Sequence, residues 1–128
     1  MRPRLILFRV TSLVVFLQLL LGGLLTFNFI SPELHIINGF IVFGLAVATL
    51  VVSLVSKPSF KPVQGIASGM VILILIQIAL GFATLNSGNQ FLAWVHFAVA
   101  TGIYGMAVAG TFLAMRWDQM TMHLRERE

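Results

Sequence analysis

The chain contains four apolar segments, each long enough to cross a bilayer, and they constrain its fold more than any other feature. They run at about 5–29, 34–55, 63–85 and 91–115, and about 20 apolar residues span the hydrocarbon core as an α-helix. Only 9% of the residues are charged and 59% are hydrophobic, whereas soluble domains are about a quarter charged. The sequence therefore predicts an all-α membrane protein. We expect one domain over residues 1–128, a four-helix transmembrane bundle with a charged cytoplasmic tail at 116–128.

The basic residues indicate how these helices are oriented. With four spans, both termini and the middle loop share one side of the membrane, and all eight basic residues fall there: Arg2, Arg4, Arg9, Lys57, Lys61, Arg116, Arg125 and Arg127. Lysine and arginine are enriched in cytoplasmic loops. The pattern predicts a multi-pass protein of the cell membrane with both termini cytoplasmic. The net charge of +4 is thus explained by residues that orient the chain in the lipid bilayer. We expect no nucleic acid as a partner.

An internal repeat divides the chain into two tandem helical hairpins. The stretch Gln-Leu-Leu-Leu-Gly at 18–22 and the stretch Gln-Ile-Ala-Leu-Gly at 77–81 are each followed by a short loop and a histidine, His35 or His96. A repeat with two spans per unit relates its halves by an axis along the membrane normal. Both histidines then lie near the outer interface, facing each other across the centre of the bundle. The two glutamines are interpreted as packing residues that bond across the bundle.

His35 and His96 are the candidate metal and cofactor ligands. Ionisable residues inside a membrane are candidates for function, although a single interfacial histidine is often only an anchor. The chain has no cysteine, and two imidazoles alone make a poor zinc site, which takes three or four protein ligands. A heme needs only one or two axial ligands. The pair therefore favours a heme b held by two histidines, while a quinone site has no specific signal.

Glu33 is the one acidic residue of the two short outer loops, and it lies two positions before His35. A carboxylate in the first turn of a helix is stabilised by the helix dipole, so its position alone favours a structural role. The alternative is a catalytic group that handles protons or positions a substrate beside the heme.

The motifs Gln18 to Gly23 with Glu33-Leu-His35, and Leu75 to Gly81 with Trp94-Val-His96-Phe97, resemble the four helices of one half of a heme A synthase. The resemblance implies two such halves, one holding a heme b cofactor and the other the substrate heme O. It also implies oxidation of a heme methyl group to the formyl group of heme A, with Glu33 near the place of a carboxylate important for that chemistry. We expect such a half-length chain in a prokaryotic plasma membrane, within cytochrome oxidase assembly.

Some residues depart from that family's pattern. Ile36 follows the first histidine where the family often has arginine, the loop cysteines are absent, and the spacing from Glu33 to His35 is one residue short. One chain also supplies a single histidine pair, so the synthase reaction requires a homo-oligomer. Whether the chain is an enzyme therefore stays open. The alternative is a b-type cytochrome or accessory subunit of a larger respiratory membrane complex, involved in electron transport without catalysis.

Overall fold

The computed structural model describes residues 3–125 and places them in four helices. These are α1 (Pro3–Thr26), α2 (Pro32–Val55), α3 (Lys61–Ser87) and α4 (Gln90–Arg125). Each of them is long and apolar enough to cross a membrane, which confirms the predicted all-α membrane bundle. Among the predicted topology determinants, Arg2 and Arg127 lie outside the described residues.

Helix α1 ends at Thr26, three residues before the end of the predicted apolar span. Asn28 adopts a left-handed backbone conformation with φ 59°. The amide of Asn28 donates to the carbonyl of Leu25 at 3.0 Å, and that of Phe29 donates to Leu24 at 2.9 Å. This pair of bonds is a Schellman motif, in which asparagine or glycine closes a helix by satisfying its last carbonyls. The hydrophobicity of Phe27 and Phe29 therefore extended the predicted span beyond the real helix end.

The other turns follow the signals read from the sequence. Pro32 occupies the first turn of α2, where its missing amide hydrogen costs nothing. Gly88 ends α3 in the left-handed region, with φ 62°. The side-chain oxygen of Asn89 then accepts bonds from the amides of Phe91 at 2.9 Å and Leu92 at 3.4 Å. Asparagine in this position caps a helix by satisfying its first free amides.

The four helices form a ring in which α1 packs on α2 and α4, and α3 also packs on α2 and α4. Two contacts identify its ends. Arg4, at the start of α1, donates to the carbonyl of Pro58 in the α2–α3 loop at 3.2 Å and to Asp118 near the end of α4 at 2.7 Å. At the opposite end, the rings of His35 and His96 lie close together. We call these the termini end and the histidine end.

Helix α4 continues well past its predicted apolar span and packs on the termini end. Its 36 residues correspond to about 54 Å at 1.5 Å per residue, longer than a hydrocarbon core of about 30 Å. Trp117 stacks on Phe60 of the α2–α3 loop, with ring centroids 4.4 Å apart and planes inclined by 1°. Asp118 and Thr121 are both 7% exposed. Residues 116–125 therefore close the bundle as a continuous helical extension.

The apolar core fills only the half of the bundle nearer the termini end. The buried apolar residues in the described part of the chain are Leu5, Phe8, Val15, Val42, Ala46, Val63, Ala67, Met70, Ile74, Ile103, Ala107 and Ala114. On α2 and α4 this core begins at Val42 and Ile103, each seven residues after a histidine, or about 10 Å along the helix. Hydrogen bonds between side-chain hydroxyl groups also join helices in this half; the hydroxyl oxygens of Thr11 and Thr49, for example, are 3.1 Å apart. The half of the bundle at the histidine end is therefore not filled by this apolar core.

Candidate cofactor site at the histidine end

A cavity of about 830 Å³ occupies the histidine half of the bundle, and all four helices line it. This volume is within the range of about 300–1,000 Å³ that is typical of ligand pockets. His35 from α2 and His96 from α4 both line the cavity. Their ring centroids are 6.1 Å apart, with planes inclined by 66°. The structure thus brings together the two histidines that the repeat predicted to face each other.

Each histidine is held by the preceding helix in the same way. Gln18 on α1 donates its amide to the backbone carbonyl of His35 at 2.9 Å, and Gln77 on α3 donates to that of His96 at 2.7 Å. These carbonyls belong to helix positions that the repeat made equivalent. The glutamines therefore bond across the bundle, as their interpretation as packing residues predicted, and they fix the depth of α2 and α4 against their neighbours.

Two glycines make room for the imidazoles. A Cβ atom on Gly22 would lie 3.2 Å from Cε1 of His35, and one on Gly81 would lie 3.1 Å from Cε1 of His96. Such distances are shorter than ordinary van der Waals contact, so a larger residue would displace each ring. In both halves the glutamine and the glycine are four residues apart. This spacing places the hydrogen-bond donor about one helical turn from the residue that leaves space for the imidazole.

The ring nitrogens are largely unpaired. The Nδ1 atoms of His35 and His96 are buried without a hydrogen-bond partner in the described part of the chain. Buried polar groups are normally hydrogen-bonded, and leaving one unpaired costs about 1–3 kcal/mol. Both Nδ1 atoms are enclosed by the protein, so a group in the cavity would reach these rings through their other atoms.

The two imidazoles are close enough for one bound group to contact both, with ring centroids 6.1 Å apart. Within the described residues, no third histidine, aspartate or glutamate joins the pair in a cluster that could hold a metal ion. The donor set thus fits a metal whose other ligands come from a macrocycle, because the apolar cavity walls would pack against it.

The two halves differ in one buried side chain, Asn38. This residue is 8% exposed and donates its amide to the side-chain oxygen of Gln18 at 2.7 Å. Its equivalent in the second hairpin, three residues after His96, is Val99. As a result, the side-chain oxygen of Gln77 is buried without a partner. The side-chain amide of Gln18 is hydrogen-bonded through both its nitrogen and its oxygen, whereas that of Gln77 is bonded only through its nitrogen.

Glu33 occupies a different environment from the histidines. Its residue is exposed in the first turn of α2, and it is not among the described residues that line the cavity. The helix-dipole interpretation accounts for this position. A catalytic role for Glu33 stays a prediction.

Sequence reasoning missed two residues that the fold uses. For Asn38, the spacing of three residues from His35 was a usable signal, because residues three apart share a helix face. Asp118 was read only as part of a charged tail. Its pairing with Arg4 joins residues 114 positions apart, and no local pattern in the sequence indicates it.

The fold is a bundle of four helices, each long and apolar enough to cross a membrane, with a cavity between them. Comparisons with protein-family models, curated proteins and solved structures found no match to this chain.

Proposed function

We propose that this chain is a heme-binding membrane protein in which His35 and His96 are the axial ligands of one heme b. The observation that carries the proposal is the 6.1 Å separation of the two imidazoles inside a cavity of about 830 Å³. A bound heme would supply an iron centre that exchanges single electrons, with a potential tuned by its ligands and burial. The protein would orient that centre through Gln18 and Gln77, which fix the backbone of each ligand.

The direct test is heme stoichiometry in the purified full chain. After expression and extraction in mild detergent, or after addition of hemin, a pyridine hemochromogen assay is expected to give about one heme per chain. The double variant His35→Ala, His96→Ala is expected to lose it. His123→Ala is the matched control, because this third histidine lies on the extension of α4 at the termini end. Full heme in the double variant would contradict the proposal.

For the activity, we propose conversion of heme O to heme A by an oligomer of this chain, acting as one half of a heme A synthase. The support is the resemblance of its four helices together with the repeat geometry of the glutamine, glycine and histidine positions. Because one chain has one histidine pair, a second copy is needed to hold both cofactor and substrate heme. Co-expression with a source of heme O is expected to yield heme A under aerobic conditions. Glu33→Gln is expected to lower that yield.

One observation favours a second candidate, a b-type cytochrome or an accessory subunit of a larger respiratory complex. Glu33 lies exposed beside the cavity rather than in its lining, which leaves the described cavity walls without a carboxylate. A preparation that contains heme B, and forms no heme A when heme O and an electron donor are supplied, would support the cytochrome and contradict the synthase.

We also propose that the termini end faces the cytoplasm. Lys57 and Lys61 lie there with Arg4 and Arg116, and positive charge is retained on the cytoplasmic side. Since the chain has no native cysteine, single cysteines can report orientation. In intact cells, an impermeant maleimide is expected to label Asn86→Cys but not Ser59→Cys. The reverse labelling would contradict the orientation.

A further inference from the structure

The two histidines differ in how their ring nitrogens are used. The amide nitrogen of Gln18 lies 3.3 Å from Nε2 of His35, in addition to donating to the carbonyl of the same residue. Because that amide nitrogen is only a donor, Nε2 of His35 acts as the acceptor. In the other half, Gln77 donates to the carbonyl of His96, and no described group donates to the ring of His96. A described side chain thus donates to the ring of His35, whereas none donates to the ring of His96.

Asn38 is the residue that distinguishes the two halves. Its amide donates to the side-chain oxygen of Gln18 at 2.7 Å, and it lies 3.4 Å from the carbonyl of Val14. With the oxygen of Gln18 held by Asn38, the amide nitrogen of Gln18 is held facing His35. Val99 stands at the equivalent place in the second hairpin and has no donor to offer Gln77.

We propose that Gln18, positioned by Asn38, competes with the heme iron for Nε2 of His35, so that His96 is the permanent axial ligand and His35 an exchangeable one. This inference rests on the proposed function, because it needs a heme in the cavity. When Gln18 holds His35, a heme in the cavity would be ligated by His96 and could take up a small diatomic ligand such as carbon monoxide in place of His35. The affinity for that ligand then depends on a hydrogen bond between protein side chains.

The size of the effect follows from the strength of that bond. A neutral side-chain hydrogen bond shifts an equilibrium by about two- to tenfold. Removing it is expected to favour ligation by His35 by that factor. External ligand binding should weaken to the same extent, because the ligand must then displace a more firmly bound imidazole.

The experiment measures carbon monoxide affinity of the ferrous protein and the low-spin fraction of the ferric protein, using the full heme-loaded chain in detergent. Gln18→Leu and Asn38→Val are each expected to raise the low-spin fraction and to weaken carbon monoxide binding about two- to tenfold. Thr111→Val is the matched control. It removes a side-chain hydrogen bond between helices, to Ser12 at 3.2 Å, at a residue that does not line the cavity, and both readouts are expected to stay at the wild-type value.

Single histidine variants give an independent readout. His35→Ala is expected to keep heme in a five-coordinate, high-spin form, whereas His96→Ala is expected to lose most of it. Equal loss in both variants would overturn the inference, as would unchanged carbon monoxide affinity in both Gln18→Leu and Asn38→Val. In those two cases the proposed heme site would stand. A wild-type chain that takes up no heme at all would overturn the proposed function and this inference with it.

Discussion

Replacing Asp118 by leucine is expected to destabilise the bundle strongly, because it leaves the guanidinium of Arg4 buried without its counter-ion. Arg4 is 1% exposed and Asp118 is 7% exposed, and the two side chains meet at 2.7 Å. Breaking a buried ion pair by removing one partner costs about 3–5 kcal/mol. Arg4 keeps its bond to the carbonyl of Pro58, which places the expected cost near the lower limit, about 3 kcal/mol.

A cost of this size corresponds to a change of about two orders of magnitude in the unfolding equilibrium. Reversible unfolding in mixed detergent micelles, followed by far-ultraviolet circular dichroism, measures it directly. Gln119→Leu is the matched control, since it introduces the same side chain at the neighbouring exposed position. That variant is expected to unfold within about 0.5 kcal/mol of the wild type.

The double variant Arg4→Met, Asp118→Leu separates charge burial from packing. Replacing both members of a buried pair by apolar residues is often neutral or stabilising, so the double variant is expected to regain most of the stability lost in Asp118→Leu. If Asp118→Leu unfolded like Gln119→Leu, the reasoning from a buried, uncompensated charge would be refuted. The same holds if the double variant were less stable than the single one.

Three further results are expected. Gly22→Ala should weaken heme binding by about 1–3 kcal/mol, or roughly 5- to 150-fold, because its Cβ crowds His35. A hemin titration checks this, with Gly44→Ala as the unaffected control, since Gly44 has no neighbour within 4 Å and does not line the cavity. Thr11→Val should cost about 0.6–2 kcal/mol of unfolding free energy by removing its bond to Thr49, and no loss in the same micelle assay would contradict that role. Trp117→Leu should cost about 0.5–1.5 kcal/mol through the lost aromatic stack, and faster limited proteolysis of the extension of α4 would report it.

Much of the fold could be predicted because the determinants are local in sequence. Hydropathy over about 20 residues finds membrane helices since each such segment must satisfy its backbone hydrogen bonds internally. Pro32, Gly88 and Asn89 mark helix ends for reasons of backbone geometry. At the end of α1 the apolar residues continue past Thr26 and the left-handed Asn28, so hydropathy alone does not locate this helix end.

The candidate site was only partly predictable. The spacing of Gln18 and Gln77 ahead of His35 and His96 indicated that the histidines share a depth and a side of the bundle, and the structure places them 6.1 Å apart. The sequence could not supply that distance, since it depends on how four helices pack around a cavity. Nor could it show that Asn38 contacts Gln18, which requires the rotation of α2 against α1.

The sequence by itself determined the class of molecule, the number of helices, most of their ends and the residue types available for chemistry. These properties follow from composition, from hydrophobic length and from the backbone preferences of single residues. Only the tertiary structure decided the pairing of Arg4 with Asp118, the asymmetry between Asn38 and Val99, and the placement of the core in one half of the bundle. Those features depend on contacts between residues distant along the chain, where side-chain volume and hydrogen-bond geometry act across helices.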